Sequence, residues 1–243
     1  PPPQYFAKNA KMNQSGYADL EDVLSTGNTP LSVDAFEQLA KSKEALILDV
    51  RTQHDFVKNH IPGSIFIGLN GGFAPWVGAL ISDINQPILL VVPQGKSEEA
   101  VTRLARVGYD NTLGYLERGM DAWIAAEKIT DQIKSVSAEE FSIQTNENKL
   151  HVLDVRKDGE YASMHLKIDG LQHFALDYIN QQMDKIDATK TYYIHCAGGY
   201  RSVIAASILK ARGFHKIIDI AGGFAALKTT NLPLSDFVCP STL

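Results

Sequence analysis

The chain contains a duplication. Ala45-Leu46-Ile47-Leu48-Asp49-Val50-Arg51 returns as Leu150-His151-Val152-Leu153-Asp154-Val155-Arg156, which places Asp154 105 positions after Asp49. The same spacing relates Phe36 to Phe141, Asp55 to Glu160, His60 to His165 and Gly108 to Gly213. Units of that size are too long for solenoid repeats and suit two small domains. The expected organisation of the 243 residues is a linker or tail of a preceding domain over 1–29, one domain over 30–130 and a second over 134–240. The boundary falls in Ile129-Thr130-Asp131-Gln132-Ile133-Lys134.

Within each copy, strand and helix signals alternate. In the second, Ser137 with Glu140 three residues on reads as a capping box. Leu150–Val155 and Tyr192–His195 are short apolar runs suited to strands covered on both faces, and Lys216–Ile220 is a third. Arg201–Arg212 carries apolar residues at 203, 204, 208 and 209 and stops at Gly213, as a helix does. Ile88–Val92 and Glu98–Val107 echo this pattern in the first copy. The fold class expected is α/β: two tandem domains, each a mostly parallel sheet with helices on both faces. Ligands of such sheets sit beyond the carboxyl ends of the strands.

With 44% hydrophobic and 21% charged residues, the chain has the composition of a globular protein. A net charge of −5 with no basic run argues against nucleic acid as a partner, and no apolar stretch is long enough to span a membrane. Two cysteines 43 positions apart make neither a disulfide framework nor a zinc site, which suggests a reducing, cytoplasmic setting. The start Pro1-Pro2-Pro3, with no Met and no signal pattern, reads as the C-terminal part of something longer.

The candidate chemistry lies in His195-Cys196-Ala197-Gly198-Gly199-Tyr200-Arg201-Ser202, between a strand and a helix. A thiol there meets unpaired backbone N–H groups and the positive end of the helix dipole, both of which favour thiolate. Gly198 and Gly199 let successive amides turn inward as an anion nest. Arg201 adds a charge suited to a sulfonate or carboxylate. Cys196 is the expected nucleophile, and residues 197–202 (Ala197, Gly198, Gly199, Tyr200, Arg201, Ser202) are the expected substrate cradle. His195 points to the other side of the strand, as a core histidine more readily than a general base.

Taken together, these residues resemble the rhodanese family of α/β sulfurtransferases, over about residues 31–240. The resemblance rests on the two Asp-Val-Arg motifs, on Asp55-Phe56 and Glu160-Tyr161, and on His60-Ile61-Pro62-Gly63 and His165-Leu166. It also rests on the Cys196-x-x-Gly199-x-Arg201 loop and on Gly222-Gly223-Phe224. It implies that Cys196 takes a sulfane sulfur as a persulfide from thiosulfate or a low-molecular-weight persulfide. Glutathione, sulfite or cyanide would then accept it. Asp154, Arg156, Glu160 and His165 are expected to support the site structurally, with Arg156 bridging to Glu160 and Arg51 to Asp55. The second copy departs from the family after His165, where Lys167-Ile168-Asp169-Gly170 replaces Pro-Gly.

The first copy has no cysteine. The constant spacing puts Val91 opposite Cys196, Gln94 opposite Gly199 and Lys96 opposite Arg201, and a local gap would substitute Val92 or Pro93. This domain reads as inactive, with Phe73 and Trp76 as contact or core residues. Tyr5–Asn13 is similar to the segment after the metallo-β-lactamase-fold domain in rhodanese fusions resembling persulfide dioxygenases and glyoxalase-II-like hydrolases. Such a domain is therefore a possible N-terminal neighbour. No His-x-His-x-Asp-His motif occurs in this chain, so no cofactor or metal is expected in it.

Two other functions compete with the sulfurtransferase reading. Phosphatases and arsenate reductases of this general fold use Cys-x5-Arg, whereas only four residues separate Cys196 from Arg201. A non-catalytic tandem binding or regulatory module is the other. Cys239 is either a resolving thiol or an incidental one.

Overall fold

The computed structural model describes residues 20–147 and 149–239. The chain divides into two compact units, Pro1–Gln132 and Ile133–Leu243. In the first, β1 (Pro30–Leu31), β2 (Leu46–Asp49), β3 (Ile65–Phe66), β4 (Ile88–Val91) and β5 (Thr112–Leu116) form a sheet in the order β1-β5-β4-β2-β3. Its helices are α1 (Leu20–Gly27), α2 (Val33–Ser42), α3 (Gln53–Lys58), α4 (Phe73–Leu80), α5 (Ser97–Ala105) and α6 (Gly119–Ala125).

In the second unit, β6 (Lys134–Val136), β7 (His151–Asp154), β8 (Leu171–His173), β9 (Tyr192–His195) and β10 (Ile217–Ile220) take the equivalent order β6-β10-β9-β7-β8. Its α-helices are α7 (Ala138–Glu147), α8 (Asp158–Ser163), α9 (Ile179–Gln182), α10 (Tyr200–Ala211) and α11 (Gly223–Leu227). All strand pairs are parallel. Each unit is thus an α/β layer structure around a parallel sheet, with helices on both faces.

Local chemistry explains the element boundaries. Ser137 Oγ accepts from the Glu140 N–H at 3.1 Å, and the Glu140 carboxylate accepts from the Ser137 N–H at 2.8 Å, so the expected capping box forms. Central β9 is buried at every position. Helix α10 is buried from Ser202 to Leu209, not along one stripe, so it is enclosed rather than half-solvated. Gly213 (φ +90°) and Gly108 (φ +84°) follow α10 and α5 in the left-handed conformation that ends helices.

The linker expected over 1–29 needs correction at its end. Residues 20–27 form a helix, Val23 is buried, and Gly27 abuts the Val101 side chain so closely that a methyl there would overlap it. Val23 thus belongs to the core of the first unit. Residues 1–19, including Tyr5–Asn13, lie outside the described residues. Phe73 and Trp76 are buried within the first unit on α4. Among the described residues no helix is long and apolar enough to cross a membrane, and no cluster of three His, Cys, Asp or Glu could hold a metal ion.

Candidate active site

Cys196 follows the last residue of β9, and α10 begins four residues later. In between, the chain must reverse inside a buried layer. It does so with Gly199 at φ +100°, a conformation that L side chains rarely adopt. The turn brings the Gly199 N–H to 3.1 Å from Cys196 Sγ, and the Ser202 hydroxyl oxygen lies 3.7 Å from it. The thiol therefore faces a backbone donor at the start of a twelve-residue helix.

Cys196 is only 1% exposed, which is less open than a thiol at the carboxyl end of a strand suggests. Gly198, which is exposed, lies over open space, and a methyl there would touch nothing within 4 Å.

A second turn supports the loop. The Phe224 N–H donates to the Cys196 carbonyl at 2.6 Å, and the Ala225 N–H donates to that of Ala197 at 3.0 Å. This approach requires glycine at 223, where φ is +57° and a methyl would overlap the Cys196 carbonyl oxygen. The Gly222-Gly223-Phe224 motif thus clamps the nucleophile's backbone. The repeated glycines and the aromatic residue are its only trace in the sequence.

The ion pairs differ from those expected. Arg156 does not bridge to Glu160. Its Nε and Nη2 grip the Asp154 carboxylate at 2.6 to 3.0 Å, and Nη2 also donates to the Met164 carbonyl at 2.9 Å. Arg51 likewise grips Asp49 and the Asn59 carbonyl, while Thr52 caps α3, its hydroxyl accepting from the Asp55 N–H and donating to the Asp55 carboxylate. Asp154 and Asp49 are fully buried at strand ends, so each needs the nearest guanidinium to offset its desolvation. Burial acts to raise the Asp154 carboxyl, and the Arg156 hydrogen bonds and charge oppose it. The Arg156 guanidinium also stacks 3.8 Å from the centre of the Phe224 ring.

Glu160 is thereby free to meet the loop. It forms a two-point pair with Arg201, Nη1 to Oε2 at 2.5 Å and Nη2 to Oε1 at 2.8 Å. The Arg201 hydrogen bond is the chief reason its carboxyl lies below the usual value. Its backbone partner is Lys157, whose N–H donates to Oε2 at 3.2 Å. Burial pushes the Tyr200 phenol up, so it stays protonated. His165 stacks on Tyr161 at 4.1 Å between ring centres and reaches the Tyr161 carbonyl at 2.9 Å, away from the thiol.

His195 is fully buried, with Nε2 at 3.8 Å from Asp154 Oδ2 and without a hydrogen-bond partner. Burial pushes its pKa down, so the ring is neutral near pH 7. It is a core residue beneath the loop.

The first unit carries the same turn without the nucleophile. Asp49 pairs with Val91 as Asp154 pairs with His195, so Val92, not Val91, occupies the Cys196 position. Gly95 (φ +71°) then stands at Gly199, Lys96 at Tyr200 and Ser97 at Arg201. The constant spacing fails by one because the first copy has an extra residue between β2 and β4. A cavity of about 560 Å3 opens over Val92, bordered by Arg51, Asp55, Gln94, Ser97 and Arg118.

Fold and loop together define a sulfurtransferase-like α/β protein in which one of two repeated sites carries a cysteine. The chain belongs to the rhodanese family: the rhodanese-like domain matches residues 32–126 and again residues 137–230. It is 33% identical over 92 residues to YrkF of Bacillus subtilis (strain 168), to which a sulfur-carrier role has been ascribed, covering 37% of this chain and 49% of that protein. It is 31% identical over 104 residues to a tRNA uridine(34) hydroxylase of Chlamydia trachomatis, covering 40% of this chain and 32% of that protein. The chain thus spans half or less of the length of both relatives. A rhodanese-like domain protein of Staphylococcus aureus aligns with 28% identity and a TM-score of 0.39 over 43% of this chain and all of its own.

Proposed function

We propose that the chain is a sulfurtransferase that moves a sulfane sulfur through a persulfide on Cys196. The observation that carries this reading is the Gly199 N–H aimed at Sγ from the start of α10. A backbone donor at that position can hydrogen-bond an anionic sulfur. In the first step the Cys196 thiolate attacks the outer sulfur of thiosulfate. The donor's S–S bond breaks, its electron pair leaves with sulfite, and Cys196–S–S⁻ remains. In the second step an acceptor nucleophile takes the outer sulfur and returns the thiolate, so ping-pong kinetics are expected.

Arg201 spends two of its N–H groups on Glu160, and a guanidinium has five. Its remaining donors and the loop amides would orient the donor's anionic group. The first unit, with Val92 at the nucleophile position, has no part in the covalent steps.

The test is a mass spectrum of the Cys196 peptide after incubation with thiosulfate. A gain of about one sulfur atom, absent in Cys196→Ser, supports the reading. No gain at all would leave a non-catalytic tandem module as the better description.

A further inference from the structure

Beside the nucleophile loop lies a groove of about 430 Å3, within the size range of small-molecule sites. Ala197, Phe224, Ala225, Met164, Phe237 and Lys228 border it. We propose that this groove is the acceptor subsite and takes an organic thiol carrying both an apolar arm and a carboxylate. The proposal rests on the sulfurtransferase reading and names the acceptor class for the same site.

Three observations define that class. First, the groove shares a wall with the loop. Ala197 follows the nucleophile, and the 196–197 carbonyls are bonded to the 224–225 amides. A molecule seated there lies against the backbone that carries the sulfur.

Second, among the described residues the groove keeps an exposed apolar surface. Phe237 is 64% exposed. It stands on a fastened segment: the Val238 N–H donates to the Ser163 carbonyl at 2.8 Å, the Ser163 hydroxyl donates to the Val238 carbonyl at 2.8 Å, and the Ser235 N–H donates to the His165 carbonyl at 2.9 Å. With Met164 and Phe224 it offers a pre-formed apolar face.

Third, the groove has one charge to spare. Arg156 and Glu160 also border it, but their charges are committed to Asp154 and Arg201. Lys228 is exposed, with Nζ 5.8 Å from the Phe224 ring centre, and among the described residues it pairs with no carboxylate. An ammonium at the end of an apolar face selects an anion on an apolar arm. Cyanide and sulfite would use none of this surface.

In the transfer, the acceptor thiol RSH attacks the outer sulfur of Cys196–S–S⁻ and passes its proton to that sulfur. The persulfide S–S bond breaks, its electron pair stays on Cys196 as thiolate, and RS–SH leaves with the proton.

The test uses the full chain, loaded with thiosulfate, freed of donor and discharged by three acceptors. These are 2-mercapto-3-phenylpropanoate, 2-phenylethanethiol, which lacks the carboxylate, and cyanide. Lys228→Gln is expected to raise the half-saturating concentration of the first about tenfold and leave the other two unchanged. Phe237→Ala is expected to raise it for both thiols and not for cyanide, with Phe237→Leu restoring it. Both residues are exposed, so the variants should fold. Normal loading and cyanide discharge with unaltered thiol kinetics in both variants overturns this proposal alone. A chain whose Cys196 gains no sulfur overturns the sulfurtransferase reading, and this proposal with it.

Discussion

Arg201 and Glu160 meet through two parallel hydrogen bonds, 2.5 and 2.8 Å long, that join the first turn of α10 to α8. The pair ties the turn around Cys196 to a helix that is separate in sequence. Two-point geometry fixes the orientation of a guanidinium as a single contact cannot.

Glu160→Gln should therefore slow the loading of Cys196 by thiosulfate about tenfold or more. The half-exposed pair itself adds only about 1 kcal/mol or less to stability. Arg201→Lys should be nearly as slow, because an ammonium is a point charge and offers no fork. Single-turnover loading rates alongside melting temperatures check this. Equal loading rates in all three proteins would remove Glu160 from any positioning role.

Asp154→Asn leaves the Arg156 guanidinium buried without its counter-charge. The expected cost is about 3 kcal/mol or more, measured by urea unfolding of the second unit. Asp49→Asn should destabilise the first unit in the same way, yet leave sulfur loading per folded molecule unchanged.

Gly223→Ala and Gly198→Ala form a contrasting pair. At 223 the φ of +57° and the overlap with the Cys196 carbonyl oxygen add together, so a loss of about 2 kcal/mol or more and a displaced loop are expected. At 198 a methyl enters open space, and stability should stay within about 0.5 kcal/mol of the parent.

Acid should act in two separate windows. Burial lowers the His195 pKa, so below about pH 6.5 the unfolded chain binds a proton that the native state refuses, and stability falls. His195→Gln should flatten that part of the profile. The Glu160 carboxyl is lowered, chiefly by its Arg201 hydrogen bond. Its contribution is present above the ordinary carboxylate value and is lost as pH falls through its folded value. Glu160→Gln should differ from the parent near neutrality and converge with it in stronger acid. Stability measured across pH 3–8 checks both.

Much of this site can be read from the linear pattern. Cys196, the glycines after it and the following helix are contiguous, so local backbone chemistry suffices to place a thiol at a helix start. The register of the first copy was less legible. A constant spacing points to Val91, and only the pairing of β2 with β4 shows that one extra residue moves Val92 into the nucleophile position. The helix over 20–27 was also hidden, because its polar neighbours look like a linker until Val23 is seen against the core.

The sequence alone determined the duplication, the alternation of strands and helices, and the single loop able to carry a nucleophile, since these depend on period and on neighbours in the chain. Tertiary structure decided the choice of partners. Arg156 turned to Asp154 because a fully buried carboxylate cannot be left uncompensated, and Glu160 was left to hold Arg201, 41 residues away. Which charge meets which depends on desolvation at the end of a folded strand, a quantity that no spacing between residues encodes.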